Sequence, residues 1–163
     1  MRGNMYKSPN LNDLDQLEEF VKTTSEALYN EADKFVAEFY VIRKQKLKDD
    51  HKSGDHYPPL LGCRAHPNES GPGFRIEWFK YIYYQKDGEK KAGSKYIPKG
   101  KKSTYSIQKV FDWKTKNWEK DAFKKYDPIY AQIREKSLAL GELSKRIKIF
   151  KRKMEKFEIV INE

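Results

Sequence analysis

The chain has 163 residues, of which 36% are charged, 37% hydrophobic and 14% aromatic, and its formal net charge is +10. That length suits one domain spanning residues 1–163 with a real core, and 11 Tyr, 9 Phe and 3 Trp argue for a packed protein despite the low mean hydropathy. No run approaches the roughly 18 consecutive apolar residues of a membrane span, residues 1–10 hold no apolar signal segment, and the single cysteine, Cys63, excludes an internal disulfide, so the sequence predicts a cytoplasmic protein with no membrane partner.

Residues 1–10 form a polar lead. Asn10 or Asn12 can cap a helix whose first turns carry Asp13, Asp15, Glu18 and Glu19, acids that suit the positive helix end. Leu14, Val21, Leu28, Phe35 and Ile42 recur every seventh residue, and Leu17, Ala32 and Phe39 widen the stripe, which predicts one amphipathic helix over about 12–48. Such a stripe builds a core or a helix seam and carries little chemistry. Residues 49–73 are rich in Pro, Gly, Ser and His and read as loop, a short strand from Leu60 to His66, and loop again.

His51, His56, Cys63 and His66 are zinc-ligating residue types, but their spacing has no C-x-x-C or H-x-x-x-H form. Cys63 and His66, three apart in a strand, face opposite sides. Loop histidines and a half-buried cysteine are the simpler reading, with no metal and no cofactor.

The clearest strand is FRIEWFKYIYY, residues 74–84. Alternation puts Phe74, Ile76, Trp78, Ile82 and Tyr84 on an expected buried face and Arg75, Glu77, Phe79, Tyr81 and Tyr83 on the other. Lys80 interrupts the apolar set, through a bulge near Phe79-Lys80 or by reaching water from an edge. Asp87-Gly88 and Ala92-Gly93 supply turn residues in a basic tip, and Tyr96-Ile97-Pro98 returns as a short strand, so the sheet is expected over 60–98. Ser103, Thr104 or Ser106 can then cap a short helix to about Lys114, with Ile107, Val110 and Phe111 inward, Lys109 and Lys114 outward, and Trp113 and Trp118 as anchors.

Asp127-Pro128 reads as a cap and first-turn pair, so a last helix either starts there or passes through with a kink from about Asn117, ending near Phe157. Ile133, Leu140, Leu143, Ile147, Phe150, Met154 and Phe157 give it a heptad seam. The first helix is the obvious antiparallel partner, and the same seam serves equally for a homodimer. The predicted fold class is therefore α+β: a three-stranded antiparallel sheet flanked by a long N-terminal helix and C-terminal helices in a coiled-coil-like hairpin, with helices over 106–157.

Charge is unevenly spread. Residues 86–116 carry ten Lys or Arg against three Asp or Glu, whereas residues 1–50 sum to −2. A field of this kind beside aromatic residues draws polyanions, above all nucleic acid. Lys86, Lys90, Lys91, Lys95, Lys99, Lys101 and Lys102 can line the hairpin and its exit loop and meet phosphates, with Lys109 beyond them. Base reading falls to Arg75, Gln85 or Gln108 and to Tyr81 and Tyr83 stacking on exposed bases. A sheet face covered by a helix is the plainer account of those tyrosines. Lys145, Arg146, Lys148, Lys151, Arg152, Lys153 and Lys156 of the last helix form a solvated face or a second contact. No phosphate loop, dinucleotide fingerprint, nucleophile elbow or H-E-x-x-H occurs, and no tyrosine has the histidine or arginine company that a DNA-cleaving nucleophile needs, so no catalytic residue is expected.

The order of parts resembles the conjugative-transfer MobI family of bacterial mobile elements over roughly Leu28 to Ile147. The resemblance rests on the helix ending AEFYVIRKQK, on Ile76, Glu77 and Trp78 in the strand, on Ile97, Lys99 and Gly100 in the turn, and on Tyr105 and Ser106 before the next helix. It implies a bacterial auxiliary mobilisation protein of integrative and conjugative elements, part of a relaxosome. Such a protein binds double-stranded DNA at the origin of transfer, helps the relaxase and has no active-site residues of its own. A protein adaptor of the conjugation machinery without DNA contact is the main alternative, and an RNA-binding module a third.

Overall fold

The structure, a computed structural model, describes residues 11–69 and 71–161, with side chains as far as residue 156. Two long helices and a small sheet make the frame: α1 (Leu11–Lys52), β1 (Leu61–Pro67), β2 (Phe74–Lys86), β3 (Glu89–Tyr96), the single turn α2 (Ile107–Val110) and α3 (Asn117–Ile161). The α+β class is as the sequence predicts. The sheet is antiparallel in the order β1-β2-β3. Asn10 lies outside the described residues, as does the side chain of Phe157.

The apolar stripe of α1 buries Leu14, Val21, Leu28, Ala32, Val36 and Phe39. Trp78 of β2 packs edge-on against Phe39 at 5.4 Å, and against Phe123 and Tyr130 of α3 at 5.2 and 5.6 Å. One face of the sheet thus lies on both helices. Burying rings of this size supplies most of the driving force for that layer contact. At the far end Leu14 and Val21 meet Ile147. Lys151 of α3 donates to Asp15 and Glu18 of α1 at 2.5 and 2.6 Å, while Lys116 donates to Asp50 and Asp55 at 2.6 and 3.0 Å near the other end, so the helices run antiparallel. The seam departs from the expected heptads: Leu17, Leu143 and Phe150 are exposed.

Several expectations are corrected. The register of β1 with β2 runs unbroken from Leu61 opposite Lys80 to Pro67 opposite Phe74, so no bulge interrupts the ladder. Lys80 instead donates to Asp112 at 2.7 Å. The alternation holds through Trp78, but Ile82 and Tyr84 are exposed where β2 runs out beyond the helices, and Phe79 on the other face is buried. The basic segment is a paired strand: Asp87 and Gly88, at φ 55° and 80°, form the turn, and β3 follows at once. Positive φ at both central residues matches the twist of a two-residue hairpin.

The helix expected to reach Lys114 stops at Val110, because Asp112 and Thr115 close a turn: Lys114 N donates to Asp112 Oδ1 and Asp112 N to Thr115 Oγ1, each at 2.9 Å. Ile107 is consequently exposed and Trp113, no anchor, is 87% exposed. The last helix starts at Asn117 and runs on through Pro128. Glu119, fully buried in its first turn, accepts from Lys116 N at 2.9 Å and from Leu61 N at 2.5 Å, tying the helix start to β1. Burial raises its pKa against the opposing pull of these amides.

Candidate nucleic-acid interface

β2 is 13 residues long, whereas β3 pairs only with its second half, from Phe79 to Lys86. The outer edge of the first half therefore needs other partners, since unpaired backbone groups are costly. Side chains of α3 and of the segment 97–105 provide them. Phe74 N donates to Ser137 Oγ and Ser137 Oγ to Phe74 O, both at 3.3 Å. Arg134 Nε donates to Ile76 O at 3.2 Å, and Trp78 N to the Tyr105 hydroxyl at 3.3 Å.

The same arrangement is locked from below. Asp127, buried within α3, accepts from Trp78 Nε1 at 3.1 Å, from Tyr105 N at 3.1 Å and from Arg134 Nη2 at 2.9 Å. It is a structural hub rather than a helix cap. Arg134 also donates to Ser103 O and lies over the Tyr105 ring, 4.9 Å from its centroid. This network had no signal in the sequence.

Between that edge and α3 lies an open groove of about 1110 Å³. Arg75 of β2, Lys99 and Lys101 of the exit segment, and Lys145 and Lys148 of α3 line it. Glu69, Glu77 and Glu142 are its acids, and Glu77 is engaged by Arg64 at 3.1 Å and faces His66 at 3.3 Å. The Lys99 ammonium is held below its ordinary pKa, by partial burial first and by Arg134 next, and it donates to Lys102 O at 2.5 Å. Three predicted contacts, Arg75, Lys99 and Lys101, are thus brought together with Lys145 and Lys148, two of the helix lysines read from sequence as a solvated face or a second contact.

The other predicted residues are divided. Partners across an antiparallel ladder share a face. Lys90 therefore shares a face with Tyr81 and Tyr83, while Lys86, Lys91 and Lys95 project from the opposite one. Lys91 pairs with Glu89 at 3.6 Å. Lys102 is exposed in the exit segment, and Lys109 is exposed on α2. No helix covers Tyr83, which is 45% exposed.

The histidines and the cysteine separate. Cys63 is buried on the helix side, hydrogen-bonded with Tyr130 at 3.5 Å, and burial pushes its thiol up to about 12. His66 belongs to the opposite face, and His51 and His56 stand beside each other at the end of α1. No group of three or more metal-ligating side chains converges among the described residues. No helix among them is long and apolar enough to cross a membrane. A family model described as MobI protein matches residues 28–148, the greater part of the chain. No curated protein and no solved structure matches it.

Proposed function

Because the chain belongs to the MobI family, which gives it a mobilisation-related role, we propose that it is a non-catalytic accessory protein that binds duplex DNA at the origin of transfer and assists the relaxase there. The observation that carries this reading is the groove where Arg75, Lys99, Lys101, Lys145 and Lys148 converge from three parts of the chain. Lysine ammonium groups meet phosphates as mobile point charges, which gives affinity and register before sequence preference. Arg134 has its donors committed to Ile76, Ser103 and Asp127, so it shapes the groove wall while the lysines supply the contacts. A phosphate beside Lys99 would offset both the burial and the neighbouring guanidinium that depress its pKa.

The test is a titration of the full chain against origin-region duplex and scrambled duplex over a range of salt. Affinity should fall linearly in log salt with a slope of about −0.9 per phosphate engaged. Lys145→Ala and Lys148→Ala should each flatten that slope by about one. Slopes unchanged by both substitutions, or no preference for origin duplex, would overturn the reading.

A second reading, an adaptor that contacts the relaxase or a coupling protein, is favoured by Trp113. It stands 87% exposed beside a groove that also takes in Tyr57, Ile82 and Trp118, and exposed aromatics of this kind anchor protein interfaces. The two roles are compatible, since this groove is lined by different residues from the basic one. Exposed Leu143 and Phe150 on α3 would suit a second copy of the chain, which would match paired half-sites in DNA.

A further inference from the structure

We propose that the outer face of the sheet binds unpaired bases of single-stranded DNA, through an aromatic row in which Tyr83 and Tyr96 are exposed, Tyr81 half-buried and Phe79 buried, with Arg43 and Arg64 laid over Tyr81 and Phe79. This inference extends the DNA-binding reading above to a second ligand and a second surface.

The face is built for stacking. Phe79 and Tyr81 meet edge-on at 5.1 Å, and Tyr81 and Tyr83 stack at 6.2 Å with planes 23° apart. Apart from Tyr96, which lies opposite Phe79, their cross-strand neighbours are small: Gly62 across from Phe79 on one side, Ser94 across from Tyr81 and Ala92 across from Tyr83 on the other. A Cβ at Gly62 would lie 2.5 Å from the Phe79 ring, so that ring packs directly against the glycine. With only Ser94 and Ala92 opposite Tyr81 and Tyr83, Tyr83 stands 45% exposed, and Tyr96 at the end of β3 is 48% exposed. Rings presented so are ready platforms for bases, each of which has a π-face.

Charge on the same face favours a polyanion. The Arg43 guanidinium sits 4.5 Å from the Tyr81 centroid and that of Arg64 5.2 Å from Phe79, planar cations on which a base can also stack. Arg75 and Lys90 lie towards opposite ends of the row. Glu77, its acid, is already held by Arg64 and faces His66. Tyr96 and Arg75 also line the basic groove, so the two surfaces are continuous. A strand parted from a duplex in the groove would meet the aromatic row without leaving the protein.

The experiment uses the full chain with a labelled oligothymidylate, a labelled duplex and a labelled oligouridylate, read by fluorescence anisotropy. The variants are Tyr83→Ala and Tyr83→Phe, Tyr83 being outside the basic groove, although it lines the groove beside Trp113. The expected result is that Tyr83→Ala weakens oligothymidylate binding by about tenfold, that Tyr83→Phe keeps it within about twofold because the ring is retained, and that duplex affinity moves for neither. Equal loss on duplex and single strand, loss in the phenylalanine variant equal to that in alanine, tighter binding of the RNA oligomer, or no oligothymidylate binding would each overturn the proposal. Duplex binding that fails while oligothymidylate binding and its dependence on the ring persist would instead sink the duplex reading and leave this one standing.

Discussion

Asp127 shows how one side chain can set the geometry of a surface it never reaches. It is 4% exposed and gathers the Trp78 indole, the Tyr105 amide and the Arg134 guanidinium. Arg134 is nearly as enclosed, with 9% of its side chain accessible. Removing one partner of such a pair strands the other charge in a poorly hydrated place, and its cost is larger than the worth of the pair itself. Asp127→Ala should therefore destabilise the fold by about 3–5 kcal/mol, measured by urea denaturation. Asp127→Asn, which keeps one acceptor, should cost less. A loss below about 1 kcal/mol in the alanine variant would deny Asp127 that central place. Of the two sequence readings, a helix start at Asp127-Pro128 or a helix passing through from about Asn117, the structure takes the second. The Asp-Pro signature of a helix start nonetheless hides the hub role of Asp127. Its true partners in Trp78 and Tyr105 lie 49 and 22 positions away, and nothing local announces them.

At the scale of elements, α3 continues through Pro128 although proline has no amide to donate and its ring crowds the preceding turn. Tertiary packing overrides that preference: Phe123, Tyr126, Tyr130 and Ile133 on either side are all buried. Since Pro128 is itself exposed, Pro128→Ala should restore a backbone hydrogen bond and raise stability by about 1–3 kcal/mol, visible as a higher melting temperature by circular dichroism. An unchanged or lowered melting temperature would mean that the proline serves the shape of the helix. The elements with a one-sided apolar pattern were legible in the sequence: α1, the first half of β2 and most of α3. β3 was not, because its residues are exposed or half-buried on both faces and its sequence carries no alternation to read. The short α2 was overextended for a related reason, Asp112 and Thr115 closing a turn where the apolar positions alone suggested another helical turn.

Over the whole molecule, α1 and α3 each contribute to the cluster around Trp78 and to the smaller one around Leu14 and Ile147, so neither cluster belongs to one element alone. Unfolding should then be a single step, with near-ultraviolet and far-ultraviolet circular dichroism giving coincident urea transitions. Transitions that separate would show that the distal helix ends melt before the sheet. The basic groove was half legible at this scale. Arg75, Lys99 and Lys101 stand out in sequence, whereas Lys145 and Lys148 join them only because of how α3 passes β2. The two borders of the sheet differ as well. α1 shields β1, where the Tyr40 hydroxyl donates to Cys63 O at 2.9 Å, but among the described residues no strand pairs with the outer side of β3. Open strand borders invite sheet growth from molecule to molecule, and lysine is a common guard against it. Lys91 and Lys95, which neither line the basic groove nor share the face of the aromatic row, fit that protective part, so a chain stripped of their charge would precipitate before it lost its grip on any ligand.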